Sequence, residues 1–127
     1  MLVDDDNNDN FFHEREIRKT NESTIIIIKN NGLEALEYLK SQKYNNDTHP
    51  DLIFLDINMP KMNGWDFLNE YNNLDKKLQS QAIIIMLSTS KNPEDISISK
   101  TWSFVSDYIK KPLTKDIMID IIKKYFK

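Results

Sequence analysis

The chain of 127 residues contains no cysteine, which excludes a disulfide frame, thiolate chemistry and a cysteine zinc site. No apolar run approaches the roughly 20 residues that span a bilayer. The first residues form neither a basic leader nor an apolar signal core, so the expectation is a cytoplasmic protein with no membrane partner. Positive charge is not in excess either. The formal charge of −3 and a pI near 5.4 give no general attraction to nucleic acid. Glycine is scarce, and its two copies, Gly32 and Gly64, each follow an asparagine in a segment that turns the chain. There are no repeats and no low-complexity tract, and no room for a helix-turn-helix reader after the last helix. A single domain over residues 1–127, with a real core and no output domain, is what this length supports.

What is present is organised around residues 51–68, DLIFLDINMPKMNGWDFL. Leu52-Ile53-Phe54-Leu55 is the pattern of a strand buried on both faces, and it stops at a carboxylate, Asp56. A proline and an Asn-Gly pair then make residues 57–64 a loop, and a helical pattern resumes at Trp65 and runs to about Asn73. An acid at the carboxyl end of a buried parallel strand lies where open α/β sheets keep their chemistry. Asp56 is therefore the candidate reactive group.

Met1-Leu2-Val3 reads as the tail of a buried strand running into Asp4, Asp5 and Asp6. Residues 7–19 form a capped helix whose apolar contribution is Phe11, Phe12 and Ile17. Residues 24–28, one threonine and four isoleucines, predict a second strand, since all are β-branched. After the turn at Asn30-Asn31-Gly32, Leu33, Ala35, Leu36 and Leu39 give a helical stripe to about Gln42, and residues 43–50 read as polar loop. Residues 74–81 read as a polar connection, residues 82–87 as a fourth buried strand ending at Ser88-Thr89-Ser90, and Pro93-Glu94-Asp95 as the first turn of a short helix. Residues 107–110 predict a fifth strand, broken at Lys111-Pro112. Thr114 is then the N-cap of an amphipathic helix carrying Ile117, Met118, Ile121, Ile122 and Tyr125. Five strands alternating with five helices predict a doubly wound α/β fold, a (βα)5 parallel sheet with helices on both faces.

Four strand ends carry polar groups: Asp4 and Asp5, Asp56, Ser88, and Lys111. In a doubly wound sheet these ends share one edge. Carboxylates brought that close raise each other's pKa unless a cation sits among them, and oxygen-only ligands suit a hard ion such as Mg²⁺. Aspartate is a nucleophile for phosphoryl transfer, while a metal, a lysine and a hydroxyl can each neutralise one oxygen of the moving group.

With the motifs LVDDD, DLIFLDINMPKMNGWDFL, MLSTS and YIKKPL in this order, the whole chain resembles a response-regulator receiver domain, the phosphoacceptor module of two-component signalling. The resemblance implies a flavodoxin-like strand order 2-1-3-4-5. It implies Asp56 as phosphoacceptor, and Asp5 on Mg²⁺ with Asp4 acting through water or charge. It further implies a metal ligand in the Asn58 backbone carbonyl, Ser88 as the switch hydroxyl and Lys111 on the phosphoryl group. Tyr108 matches the aromatic whose rotamer follows activation, Asn58 and Ser90 the positions that tune phosphoryl lifetime, and Lys111-Pro112 a cis peptide. The implied partners are a sensor histidine kinase or a histidine phosphotransfer protein, a downstream protein contacted in trans, and a second copy in a homodimer formed on phosphorylation. Two departures stand out. Only three residues precede the acids where the family has more, and Thr89 replaces a common alanine, which narrows access to Asp56.

Read singly, each residue has a plainer explanation. Asp4-Asp5-Asp6 is also a helix cap, Ser88 a strand-ending hydroxyl and Lys111 half of a solvated pair with Lys110. Trp65 and Trp102 read as packing or surface anchors, and His13 and His49 as solvent-facing. The alternative function is a small aspartyl-phosphate phosphatase of haloacid-dehalogenase-like chemistry. That chemistry needs a second acid two residues after the nucleophile, where this chain has Asn58, and a lid for which no segment is long enough.

Overall fold

In the computed structural model, residues 1–41, 49–79, 82–90 and 92–126 are described. Among them the order is β1 (Leu2–Val3), α1 (Asn7–Thr20), β2 (Ile28–Lys29), α2 (Gly32–Ser41), β3 (Leu52–Leu55) and α3 (Gly64–Asn72). It continues with α4 (Lys76–Gln79), β4 (Ile83–Ser88), α5 (Pro93–Ser99), β5 (Val105–Lys110) and α6 (Lys115–Tyr125). The strands form one parallel sheet in the order β2-β1-β3-β4-β5. The expected doubly wound fold is the observed one.

Strand alternation divides the core into two layers, because successive side chains point to opposite faces. Val3, Ile53, Leu55, Ile84 and Met86 face α2 and α3, where Ala35, Leu36, Leu39, Phe67, Leu68 and Tyr71 meet them. Leu2, Phe54, Ile85 and Leu87 face α1 and α6, against Ile17, Leu113, Met118 and Ile121. Helices on both faces bury β3 and β4 from each side, which is why their sequences are almost wholly apolar. Trp65 and Trp102 stack on each other, with ring centroids 5.8 Å apart, at the edge of the first layer.

Several local expectations are corrected. The strand predicted over residues 24–28 is confined to Ile28–Lys29. Its partner β1 pairs only Leu2 with Ile28 and Val3 with Lys29, so the β-branched run upstream has propensity without a ladder to join. There the isoleucines instead line a cavity of about 490 Å³ shared with Leu2, Ile17, Leu52 and Met118, and Ile25 is exposed. In α1 the apolar contribution reduces to Ile17. Phe11 and Phe12 are 63% and 41% exposed, and the buried face is completed by Asn10, His13 and Glu16. Leu33 of the α2 stripe is exposed as well. A sixth helix, α4, occupies part of the connection predicted over 74–81, of which residues 80 and 81 lie outside the described residues. So do Gln42 and most of the loop predicted over 43–50. Both histidines expected at the surface are buried.

The two glycines serve close approach, since neither has a positive φ. A Cβ on Gly64 would lie 2.4 Å from the backbone oxygen of Asp56, and one on Gly32 would lie 2.8 Å from that of Met62. The left-handed residue of the loop is instead Lys61, at φ 65°. Asn63 acts as the N-cap of α3, accepting the Asp66 N–H at 2.8 Å.

Candidate functional site

The site is assembled where the strands end. Asp56 follows the last residue of β3 and is held in the ladder by its own N–H, which donates to the Val3 carbonyl at 3.0 Å. The side chain is buried, and its Oδ1 accepts the Ile57 N–H at 2.9 Å. On one side of it the end of β1 delivers Asp4, buried, and Asp5, exposed. On the other side β4 ends in the buried Ser88, whose carbonyl accepts the Lys111 N–H at 2.8 Å. Lys111 follows the last residue of β5, precedes a cis peptide to Pro112, and has its ammonium among the acids.

Lys111 is the centre of charge. Its ammonium lies 2.6 Å from Asp4 Oδ2, 2.9 Å from Asp9 Oδ2 and 3.6 Å from Asp56 Oδ2, on a side chain only 8% exposed. Burial alone would lower its pKa. The hydrogen bonds to Asp4 and Asp9 and the charge of Asp56 outweigh it and hold the ammonium above its ordinary range. Asp56 shows the opposite balance. Burial first, then the Asp4 carboxylate, push its carboxyl up to about 6, against the pull of Lys111 and the Ile57 N–H. Four acids, Asp4, Asp5, Asp9 and Asp56, crowd this corner.

Such a site is short of positive charge. Oxygens of Asp4, Asp5 and Asp56 lie within 4.8 Å of one another. An all-carboxylate donor set at that spacing fits a hard divalent cation rather than a soft one. Asn58, whose backbone carbonyl is the remaining expected ligand, is exposed two residues after Asp56.

The switch candidates form a second cluster beside the first. Ser88 Oγ accepts the Ser90 N–H at 3.1 Å, and the Ser90 hydroxyl donates to the Asp95 carboxylate at the start of α5. From β5 the Tyr108 hydroxyl donates to the Ser90 carbonyl at 3.2 Å. The expected residues Ser88, Ser90 and Tyr108 are thus tied into one loop.

Three residues of this corner escape a reading of the sequence. Asp9 has the pattern of an ordinary acid in a first helical turn. Asn10, buried, donates its side-chain amide to the Asp4 carbonyl at 2.9 Å and so fixes the strand end that carries the acids. His13 lies under the same corner, lining a small cleft with Asp4, Asn10 and Asp56, and its pKa is lowered by burial and then by Lys111. The available signal is spacing: Asn10 and His13 are three apart, on the face of α1 that also carries the buried Ile17.

A family model for the response regulator receiver domain matches residues 1–123. The chain is 33% identical over 101 residues to response regulator Rcp1 of Synechocystis, which covers 78% of this chain and 67% of that protein. It is also 33% identical over 97 residues to the sensor histidine kinase CheAY of Helicobacter pylori, covering 76% of this chain but only 11% of that longer protein. The crystal structure of a two-component response regulator from Cytophaga hutchinsonii superposes with a TM-score of 0.87 at 29% identity, over 97% of this chain and 92% of that one. The Mn(2+)-bound form of Rcp1 superposes with a TM-score of 0.69 at 29% identity, over 98% and 91% of the two chains.

Proposed function

The chain belongs to the response-regulator receiver family, and from that membership we propose that it is a phosphoacceptor switch built on Asp56. The convergence of Asp4, Asp5, Asp56 and Lys111 on one strand edge carries this reading. In the proposed step an ionised Asp56 oxygen attacks the phosphorus of a phosphohistidine, on a histidine kinase or a phosphotransfer protein. The P–N bond breaks as the P–O bond of the acyl phosphate forms, and the imidazole leaves with the electron pair. Lys111 neutralises one phosphoryl oxygen and Ser88 can turn to hydrogen-bond another. A hard divalent cation such as Mg²⁺, held by Asp4, Asp5, Asp56 and the Asn58 carbonyl, would supply the remaining positive charge. Because the chain spans a small part of some relatives, the donor and the downstream partner belong to the proposal as well.

The group added to Asp56 then accepts the Ser88 O–H, and the hydroxyl that shifts to donate it is the one that accepts the Ser90 N–H in the unmodified protein. Drawing Ser88 away loosens a loop that Tyr108 and Asp95 hold through Ser90, and β5 with α5 is the surface that reads out the change. Asn58 and Ser90, at the positions that the family resemblance assigns to this role, would tune how long the acyl phosphate survives.

Incubation with Mg²⁺ and acetyl phosphate, followed by intact mass, tests the proposal directly. The expected result is a single phosphoryl adduct that needs Mg²⁺ and is absent from Asp56→Asn. Donor turnover without any adduct would point instead to the phosphatase. Absence of both adduct and turnover, with Mg²⁺ binding verified, would leave a docking domain with no phosphoacceptor role.

A further inference from the structure

The Lys111 ammonium has three N–H donors, and its two hydrogen bonds go to Asp4 and Asp9. Asp56 at 3.6 Å is beyond hydrogen-bonding reach of it. Asp4 is needed by the strand-edge acid cluster, so its hold on Lys111 belongs to the site already described. Asp9 is different. It lies outside that cluster, in the first turn of α1, 102 residues from Lys111 in sequence. A plain capping role does not account for it, because Asp6 is the N-cap, accepting the N–H groups of Asn8 and Asp9. The Asp9 carboxylate is free of that duty, and it is aimed at the lysine.

We propose that Asp9 is a positioning residue that acts as a brake, holding the Lys111 ammonium short of Asp56 and competing with the phosphoryl group for it. The inference rests on the phosphoacceptor reading of Asp56. On phosphorylation the third Lys111 N–H can take a phosphoryl oxygen, and drawing the ammonium toward Asp56 for that bond stretches its contacts to Asp4 and Asp9. Asp9 is the partner that can be given up, because its side chain is 38% exposed and water can replace the lysine, whereas Asp4 is buried. The contact therefore favours the unmodified protein and opposes each transfer. Its negative charge also stands near the incoming anion, and that effect has the same sign.

The test compares the parent with Asp9→Asn and Asp9→Glu, following the Asp56 adduct by mass at sub-saturating acetyl phosphate with Mg²⁺ present. Asp9→Asn is expected to form the adduct roughly 3- to 10-fold faster, the size of one charge-assisted contact, and Asp9→Glu to return toward the parental rate. A gain in rate cannot come from damage to the fold, and thermal melting of each variant verifies that point. The Lys111 ammonium resonance in NMR is expected to shift in Asp9→Asn and to recover in Asp9→Glu. An adduct in the parent with an equal or slower rate in Asp9→Asn overturns the role of Asp9 alone. No adduct in the parent overturns the phosphoacceptor reading and this inference with it.

Discussion

The two halves of the sheet are built differently, although both feed one site. On the β3–β4–β5 side, β3 pairs with β4 from Leu52↔Ile83 to Leu55↔Met86, and β4 pairs with β5 from Ile84↔Val105 to Ser88↔Lys110 with one register shift between Ile84 and Ile85. On the β2–β1 side each strand contributes two residues, and the sheet ends beside a cavity of about 490 Å³. The long half supplies Asp56, Ser88 and Lys111, the groups that touch the transferred phosphoryl in the proposed reaction. The short half supplies Asp4 and Asp5, the acids that would hold a cation. The strand end carrying the acids is held by the Asp4 N–H, which donates to the Lys29 carbonyl, and by the Asn10 amide, while the Asp56 and Lys111 backbones donate to Val3 and Ser88. The candidate phosphoacceptor thus follows one of the longer strands, and the candidate cation ligands follow one of the two-residue strands.

The sharpest way to break this contrast is a pair of truncations read by urea unfolding. Ile85→Ala in the fully enclosed β4 is expected to cost about 4 kcal/mol, while Leu2→Ala, next to a cavity into which neighbours can relax, costs about 2 kcal/mol. Equal losses would mean that the halves are equally rigid. Gly64→Ala tests how firmly β3 holds the reactive acid. The new Cβ would meet the Asp56 backbone oxygen at 2.4 Å, and since that oxygen cannot swing aside, about 3 kcal/mol of destabilisation is expected. A variant as stable as the parent would show that the loop after Asp56 yields easily.

Asp56 itself stands at the seam, and its pH dependence follows from its raised pKa. The folded state binds this proton more tightly than the unfolded one. Stability contributed by the neutral form is therefore present at low pH and lost as pH rises from 3.8 through about 6. Asp56→Asn removes that loss. At pH 7 and without divalent cation it is expected to be more stable than the parent by about 1–2 kcal/mol after allowance for solvent screening, with the gap closing by pH 4. A variant less stable than the parent at pH 7 would show that Lys111 outweighs burial and Asp4. The smallest effect belongs to Tyr108→Phe on the outer strand of the long half. Losing one hydroxyl bond to the Ser90 carbonyl should cost about 0.5–1 kcal/mol in a melt and leave adduct formation intact.

Most of the long half was legible in the sequence because its signals were self-sufficient. LIFL and IIIML need burial on both faces wherever they go, and the carboxylate and hydroxyl that end them could lie only at the strand edge. The short half was harder. Residues 24–28 read as a strand by propensity, but a strand exists only where a partner pairs with it, and β1 offers two residues. Phe11 and Phe12 looked like the core side of α1. The buried side is polar because it abuts the acidic corner, so His13 and Asn10 are inside and the phenylalanines outside. Asp9 was invisible for a related reason. Its partner lies at the far end of the chain, and a first-turn acid is too common to announce a distant lysine.

The stacked tryptophans give the molecule an optical property. Trp65 and Trp102 are the two tryptophans of the chain, and they lie face to face between the first turn of α3 and the connection from α5 to β5. Indole emission therefore reports one coupled pair with one foot just after the loop that follows Asp56 and the other just before β5. A displacement of α5 against α3 separates the rings and changes the spectrum, so the protein carries an unlabelled gauge of its own conformational state, readable in a stopped-flow cuvette.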